Sequence, residues 1–145
     1  INNADIQALI DHHKLVGGLE TSGPIDITIR PLACTATIMH NLMGESAKKM
    51  PDEIKGIMLS CILSDTLEFR SPTTTDQDHI LAESLGKDLD ISIPTYAAQM
   101  FAAKSDLSSF SDVDLLRMDS KEYTVSGTRF RISVLETTCP ETVVD

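Results

Sequence analysis

The stretch IQALIDHH, residues 6–13, decides how the rest of the chain is read. Ile6 to Ile10 is a short apolar run that leads straight into Asp11. Its length suits a buried strand, although a helical turn has the same composition. Ile25, Ile27 and Ile29 alternate with Asp26, Thr28 and Arg30, a period of two that predicts a second strand ended by Pro31. Gly17, Gly18 and the pair Gly23-Pro24 mark the loop between the two.

Helical signals follow. Thr35 to Met43 reads as a helix stopped by Gly44. A second starts at Pro51, with Asp52 and Glu53 in its first turn, and runs to about Phe69 before Ser71-Pro72 breaks it. Thr75 caps a third, with Asp78 as its reciprocal partner, and this helix ends near Gly86. A fourth covers Pro94 to Lys104, with Ile93, Ala97, Met100 and Phe101 on one side. Polar residues from Lys104 to Ser111 predict a linker, and Ser111 with Asp114 opens one more short helix. The character then changes. Glu122 to Val125 and Arg129 to Leu135 read as strands joined at Ser126-Gly127-Thr128, with Phe130, Ile132 and Val134 in period two. This switch predicts a second domain from about residue 106.

Bulk properties narrow the function. The 145 residues are 41% hydrophobic, enough for one compact domain or one domain and part of another. No apolar run is long enough to span a bilayer and no signal-peptide pattern opens the chain, so a soluble protein without membrane partners is expected. The formal net charge of -10 opposes non-specific binding of DNA or RNA. A small polyanion remains open as a substrate, because bound divalent cations reverse the field inside a pocket. Cys34, Cys61 and Cys139 form no Cys-x-x-Cys pattern; three structural thiols in a reducing cytoplasm are expected.

Two places carry candidate chemistry. On the helix from Pro51, Ile54, Ile57, Met58, Cys61 and Ile62 fall in one stripe, and Asp65 lies near its middle. A carboxylate aimed into an apolar interior costs several kcal/mol unless relieved. An Arg or Lys partner, backbone donors at the helix end, or a cation would each relieve it. Asp11-His12-His13 is the other place. A mixed His/Asp set suits a first-row divalent metal, whereas a histidine pair capping a strand end is the plainer alternative. Adjacent side chains on an extended segment point opposite ways, so one ring is expected to face a site and the other to serve elsewhere. If the first strand is parallel, the triplet sits at the carboxyl edge where ligands gather in open α/β sheets.

Taken together, IDHH at 10–13, RPLACTATI at 30–38, LSDTLEFRSPTTTDQD at 63–78 and MDSKEYTVSG at 118–127 resemble, in collinear order, the family II inorganic pyrophosphatases of the DHH phosphoesterase superfamily. The resemblance implies an α/β fold: the C-terminal part of a parallel-sheet DHH domain with helices on both faces, residues 1–105, then the start of a second α+β domain, 106–145. It implies hydrolysis of pyrophosphate at a two-metal Mn2+ site, with Co2+ or Mg2+ as alternatives, in a cytoplasmic homodimer. In that scheme His12 and Asp65 bind metal, Asp65 bridging two ions. His13 lies at the substrate phosphate, Asp11 supports the histidines, and Lys121 holds a phosphate oxygen. Arg70 reads as a solvated helix-end charge. The family's opening motif, His-Xaa-Asn-Pro-Asp-Xaa-Asp, and a later aspartate are not found, so a fragment, inactive alone, is expected. Other expectations stay open beside this one: a related phosphoesterase acting on polyphosphate or short oligonucleotides, or a non-catalytic regulatory or interaction module.

Overall fold

The computed structural model describes residues 4–17, 20–106 and 110–134. Gly18, Leu135, Cys139, the tail from Thr137 and the middle of the expected linker lie outside them. The order is β1 (Ala8–Asp11), β2 (Asp26–Ile29), α1 (Thr35–Met43), a 3₁₀ segment (Gly44–Lys49), α2 (Asp52–Thr66), α3 (Asp76–Asp88), α4 (Ile93–Lys104), α5 (Asp112–Arg117), β3 (Ser120–Val125) and β4 (Thr128–Ser133). The chain divides into two compact units, Ile1–Ala97 and Ala98–Asp145, so the division falls inside α4. The fold class is mixed α/β.

In the first unit β1 and β2 pair in parallel, Ala8 against Asp26 through Asp11 against Ile29. Their carboxyl ends therefore coincide. α1 ends where Gly44 takes φ +52 and returns its N–H to the His40 carbonyl, a conformation that a side chain would penalise. The six-residue 3₁₀ segment after it carried no sequence signal: beyond Gly44, GESAKK has no apolar period.

The core forms where α2 packs on α1 and α3, around Ile38, Leu59, Ile62, Leu63, Leu81, Ala82 and Leu85. This corrects the expected stripe. The buried face of α2 is Met58, Leu59, Ile62, Leu63 and Thr66, whereas Ile54 is 44% and Ile57 60% exposed, and Cys61 and Asp65 are exposed as well. The face is rotated by roughly 100°, one residue position on a helix. The cause is composition. α2 is apolar nearly all round from Ile54 to Leu63, so periodicity does not choose a face, and packing on α1 and α3 does.

α2 also stops three residues before the expected Phe69. Leu67, Glu68 and Phe69 all take positive φ (50°, 53° and 66°). Thr66 stabilises this reversal: its hydroxyl donates to the Ile62 carbonyl at 2.7 Å and accepts from Phe69 N–H at 3.2 Å. Glu68 N–H reaches the Leu63 carbonyl and Ser71 N–H the Thr66 carbonyl, closing the helix end.

α3 begins with the expected capping box: Thr75 and Asp78 exchange side-chain and backbone hydrogen bonds. It passes Gly86 and ends at Asp88. The glycine serves close approach rather than termination, since a Cβ there would stand 3.1 Å from Ile93 Cγ1. Lys55 bridges α2 and α3, reaching Asp52 at 3.2 Å and Asp88 at 3.4 Å.

In the second unit Ser111 and Asp114 form the expected capping box of α5. β3 and β4 make an antiparallel hairpin, closed by Ser126 (φ +50°) and Gly127 (φ +81°). Positive φ at both central residues is the mirror-type turn that matches strand twist. Among the described residues no helix is long and apolar enough to cross a membrane.

Candidate metal centre

The triplet sits where the sequence placed it, at the carboxyl edge of a parallel strand. Arg30 N–H donates to the Asp11 carbonyl at 3.3 Å, the last rung between the strands. Beyond it the backbone turns on the Asp11 side chain. Oδ1 of Asp11 accepts from His12 N–H at 2.7 Å, His13 N–H at 3.1 Å and His13 Nδ1 at 2.7 Å. A carboxylate that bonds the next two amides replaces the strand ladder with a local turn. The two rings consequently stack, with centroids 4.1 Å apart and planes at 29°. This corrects the expectation that the histidines point opposite ways: that geometry requires extended backbone, which stops at Asp11.

The hydrogen bond from the His13 ring, followed by that from its backbone, holds the Asp11 carboxyl down at about 2. The group is thus anionic throughout the neutral range, a fixed acceptor for the turn. On the other side His12 Nδ1 meets Thr35 Oγ1 at 2.9 Å. Both Nδ1 atoms are therefore engaged. Nε2 is therefore the nitrogen that His12 has left for a metal. One ligand atom from each of the three residues lies within 4.8 Å of the others. A mixed imidazole and carboxylate set suits a first-row divalent cation by donor type.

Asp65 is not in that close set. It meets α1 instead, where its carboxylate shares a hydrogen bond with the Cys34 thiol. Burial first, and this bond second, push the Cys34 thiol up to about 12, so the thiol keeps its proton and donates it. Cys34 is also the N-cap of α1, its sulfur accepting from Ala36 N–H at 3.4 Å. His12 and Asp65 thus reach adjacent residues, Thr35 and Cys34, at one helix start.

That helix start is itself anchored. The fully buried Asp78 carboxylate accepts from Ala33 N–H at 3.0 Å, Thr37 Oγ1 at 2.6 Å, and Thr75 N–H and Oγ1 at 3.1 and 2.5 Å. Burial pushes its pKa up, but these donors outweigh burial and hold it below the usual carboxylate range. The sequence marks Asp78 as a cap, Cys34 as a structural thiol and Thr35 as a helix start, and gives neither Cys34 nor Thr35 a part in the site. Their signal was the position just before and at the first turn of a helix following a strand, where side chains meet a sheet edge.

Lys121 is an exposed residue of β3, opposite Ile132, in the second unit. Arg70 is exposed at the end of α2, its Nε donating to the Leu67 carbonyl at 2.9 Å and a second guanidinium nitrogen 3.9 Å from Glu68.

Comparison with known proteins agrees in sequence and in fold. Residues 98–145 match the DHHA2 domain. The manganese-dependent inorganic pyrophosphatase of Bacillus subtilis is 36% identical over 137 residues, 94% of this chain and 44% of that protein. The Listeria welshimeri protein named "Probable manganese-dependent inorganic pyrophosphatase" is 36% identical over 133 residues, 92% of this chain and 42% of its own length. A crystal structure of a candidate family II inorganic pyrophosphatase from Methanococcus jannaschii superposes with TM-score 0.71 at 31% identity, over 90% of this chain and 45% of that one. The chain spans less than half the length of these relatives.

Proposed function

We propose that this chain is part of a family II inorganic pyrophosphatase and serves pyrophosphate hydrolysis; it is 31–36% identical to such proteins and spans less than half of their length. The reaction is hydrolysis of inorganic pyrophosphate to two phosphates with Mn2+, Co2+ or Mg2+ being substitutes. The observation that carries this reading is the Asp11-His12-His13 cluster at a parallel strand edge, with both Nδ1 atoms engaged. The names of the relatives supply the metal and the substrate. Residues 1–105 are assigned to the DHH domain and 106–145 to the start of the second domain, the whole acting as a cytoplasmic homodimer.

Manganese, when bound, acidifies a coordinated water and polarises phosphoryl oxygens. The residues of this chain do the rest. His12 Nε2 and Asp65 would hold the metal. Asp11 fixes the turn and the orientation of the His13 ring. A His13 ring with both nitrogens protonated keeps Nδ1–H on Asp11 and offers Nε2–H to a phosphate oxygen. Lys121 adds positive charge to the phosphate as negative charge develops on it.

The test is substrate preference. With Mn2+, the complete polypeptide is expected to hydrolyse pyrophosphate with kcat/KM at least about 100-fold above that for tripolyphosphate or a dinucleotide. Equal rates would favour the broader phosphoesterase reading, and no turnover of any of them a non-catalytic module. The 145-residue chain alone is expected to bind Mn2+ weakly and turn over slowly. Asp11 Oδ1 is already committed to three donors, so an ion at the cluster would take most of its shell from water. Full activity of that chain would contradict this.

A further inference from the structure

Resting on the reading just given, we propose that Cys34 and Thr35 are positioning residues for the metal centre, one helix start setting the separation and orientation of His12 and Asp65. For Nε2 of His12 to present a lone pair to a metal, Nδ1 must carry the proton. Thr35 Oγ1 at 2.9 Å is placed to accept that proton and to fix the ring plane.

Cys34 does the matching work for the carboxylate. Asp65 stands on an exposed face of α2, where no packing restrains its rotamer. The hydrogen bond from the Cys34 thiol restrains it. The thiol suits the task because it is 98% buried and carries an S–H donor, so it can give a hydrogen bond to the carboxylate.

Neither residue can drift. Ala33 N–H and Thr37 Oγ1, on either side of the pair, both end on the buried Asp78 carboxylate. Asp78 belongs to the first turn of α3. The frame that holds His12 and Asp65 therefore runs from α3 through the start of α1, and it lies wholly within the first compact unit. Ligating groups oriented in advance bind metal more tightly, since less freedom is lost on binding.

The test uses the complete polypeptide and four variants: Thr35→Val, Thr35→Ser, Cys34→Ala and Cys34→Ser. Free Mn2+ is followed by electron paramagnetic resonance during titration, a readout independent of turnover. Removing a group that orients a ligand typically costs about 10–100-fold in metal affinity. Thr35→Val and Cys34→Ala are each expected to weaken Mn2+ binding by about 10-fold or more. Thr35→Ser and Cys34→Ser, which keep a donor-acceptor group, are expected within about 3-fold of the parent, within the spread usual for one interaction. Imidazole nitrogen resonances of the metal-free Thr35→Val protein are expected to show His12 sharing its proton between Nδ1 and Nε2. Native Mn2+ affinity in Thr35→Val and Cys34→Ala overturns the proposal. His12→Ala separates this failure from failure of the site itself. If His12→Ala weakens binding while Thr35→Val does not, only the positioning role falls; if neither weakens it, the metal centre falls too.

Discussion

Replacing Asp78 by alanine is expected to destabilise the first unit by about 3–5 kcal/mol, the cost of breaking a buried ionic hydrogen-bond set by removing its anion. The substitution strands Ala33 N–H, Thr37 Oγ1 and Thr75 N–H, all of which end on this carboxylate. It also deletes the capping box of α3. For a domain stable by about 5–15 kcal/mol, such a loss removes about a fifth or more of the total. Thermal unfolding would show it as a fall of roughly 6–20 °C at this chain length. A change below about 1 kcal/mol, the ordinary scale of a surface substitution, would contradict the role assigned here.

The same residue predicts a pH dependence. Its folded pKa lies below the ordinary carboxylate value, because donors outweigh burial. Its contribution is therefore complete above the unfolded value of about 3.9 and is lost as pH falls through the folded one. Asp78→Asn is expected to lower stability at neutral pH and to flatten the acid limb of the stability curve. An acid limb identical to the parent's would show that another carboxylate governs it.

Asp65→Asn carries the largest expected effect on function. The side chain is exposed, and asparagine keeps an oxygen for the Cys34 thiol, so the fold should be undisturbed. What is lost is the negative charge. Losing a direct ligand should cost more than the roughly 10–100-fold typical of a supporting residue, so Mn2+ affinity is expected to fall by at least about 100-fold. Charge stabilisation by metal is worth several kcal/mol, and each 1.36 kcal/mol is tenfold in rate, so hydrolysis should fall by about 1000-fold. Unchanged affinity and rate, with unchanged melting, would remove Asp65 from the centre.

Asp65 also marks how far sequence reasoning reached. The apolar stripe read along α2 predicts a buried Asp65, and the folded helix leaves it exposed. Ile54, Ile57 and Cys61 are apolar enough to suggest a core face, yet the core took Leu59, Ile62 and Leu63. A helix apolar on both sides gives two overlapping stripes, and only packing against α1 and α3 selects one. The proposed role of Asp65 now rests on the family resemblance and its bond to Cys34 rather than on desolvation.

Features set by local chemistry were legible. The Thr75/Asp78 and Ser111/Asp114 boxes, the Gly44 stop of α1, the period-two strands and the Ser126-Gly127 turn all depend on residues within a few positions of one another. What escaped depends on distant partners or on competing local bonds. The left-handed run Leu67 to Phe69 is held by Thr66 and by amides reaching back across the helix end. The stacked histidines follow from one carboxylate accepting two consecutive amides, which an extended-strand picture omits. Thr35 meets His12 across 23 residues of sequence, a distance no local period reports.

The most direct test of the metal centre is parallel measurement of Mn2+ binding and phosphate release from pyrophosphate in the complete polypeptide and its His12→Ala variant. The account predicts that His12→Ala loses Mn2+ affinity by at least about 100-fold and loses phosphate release with it, while its melting temperature, measured without metal, stays within a few degrees of the parent's. A His12→Ala protein that binds Mn2+ and releases phosphate as the parent does would contradict it.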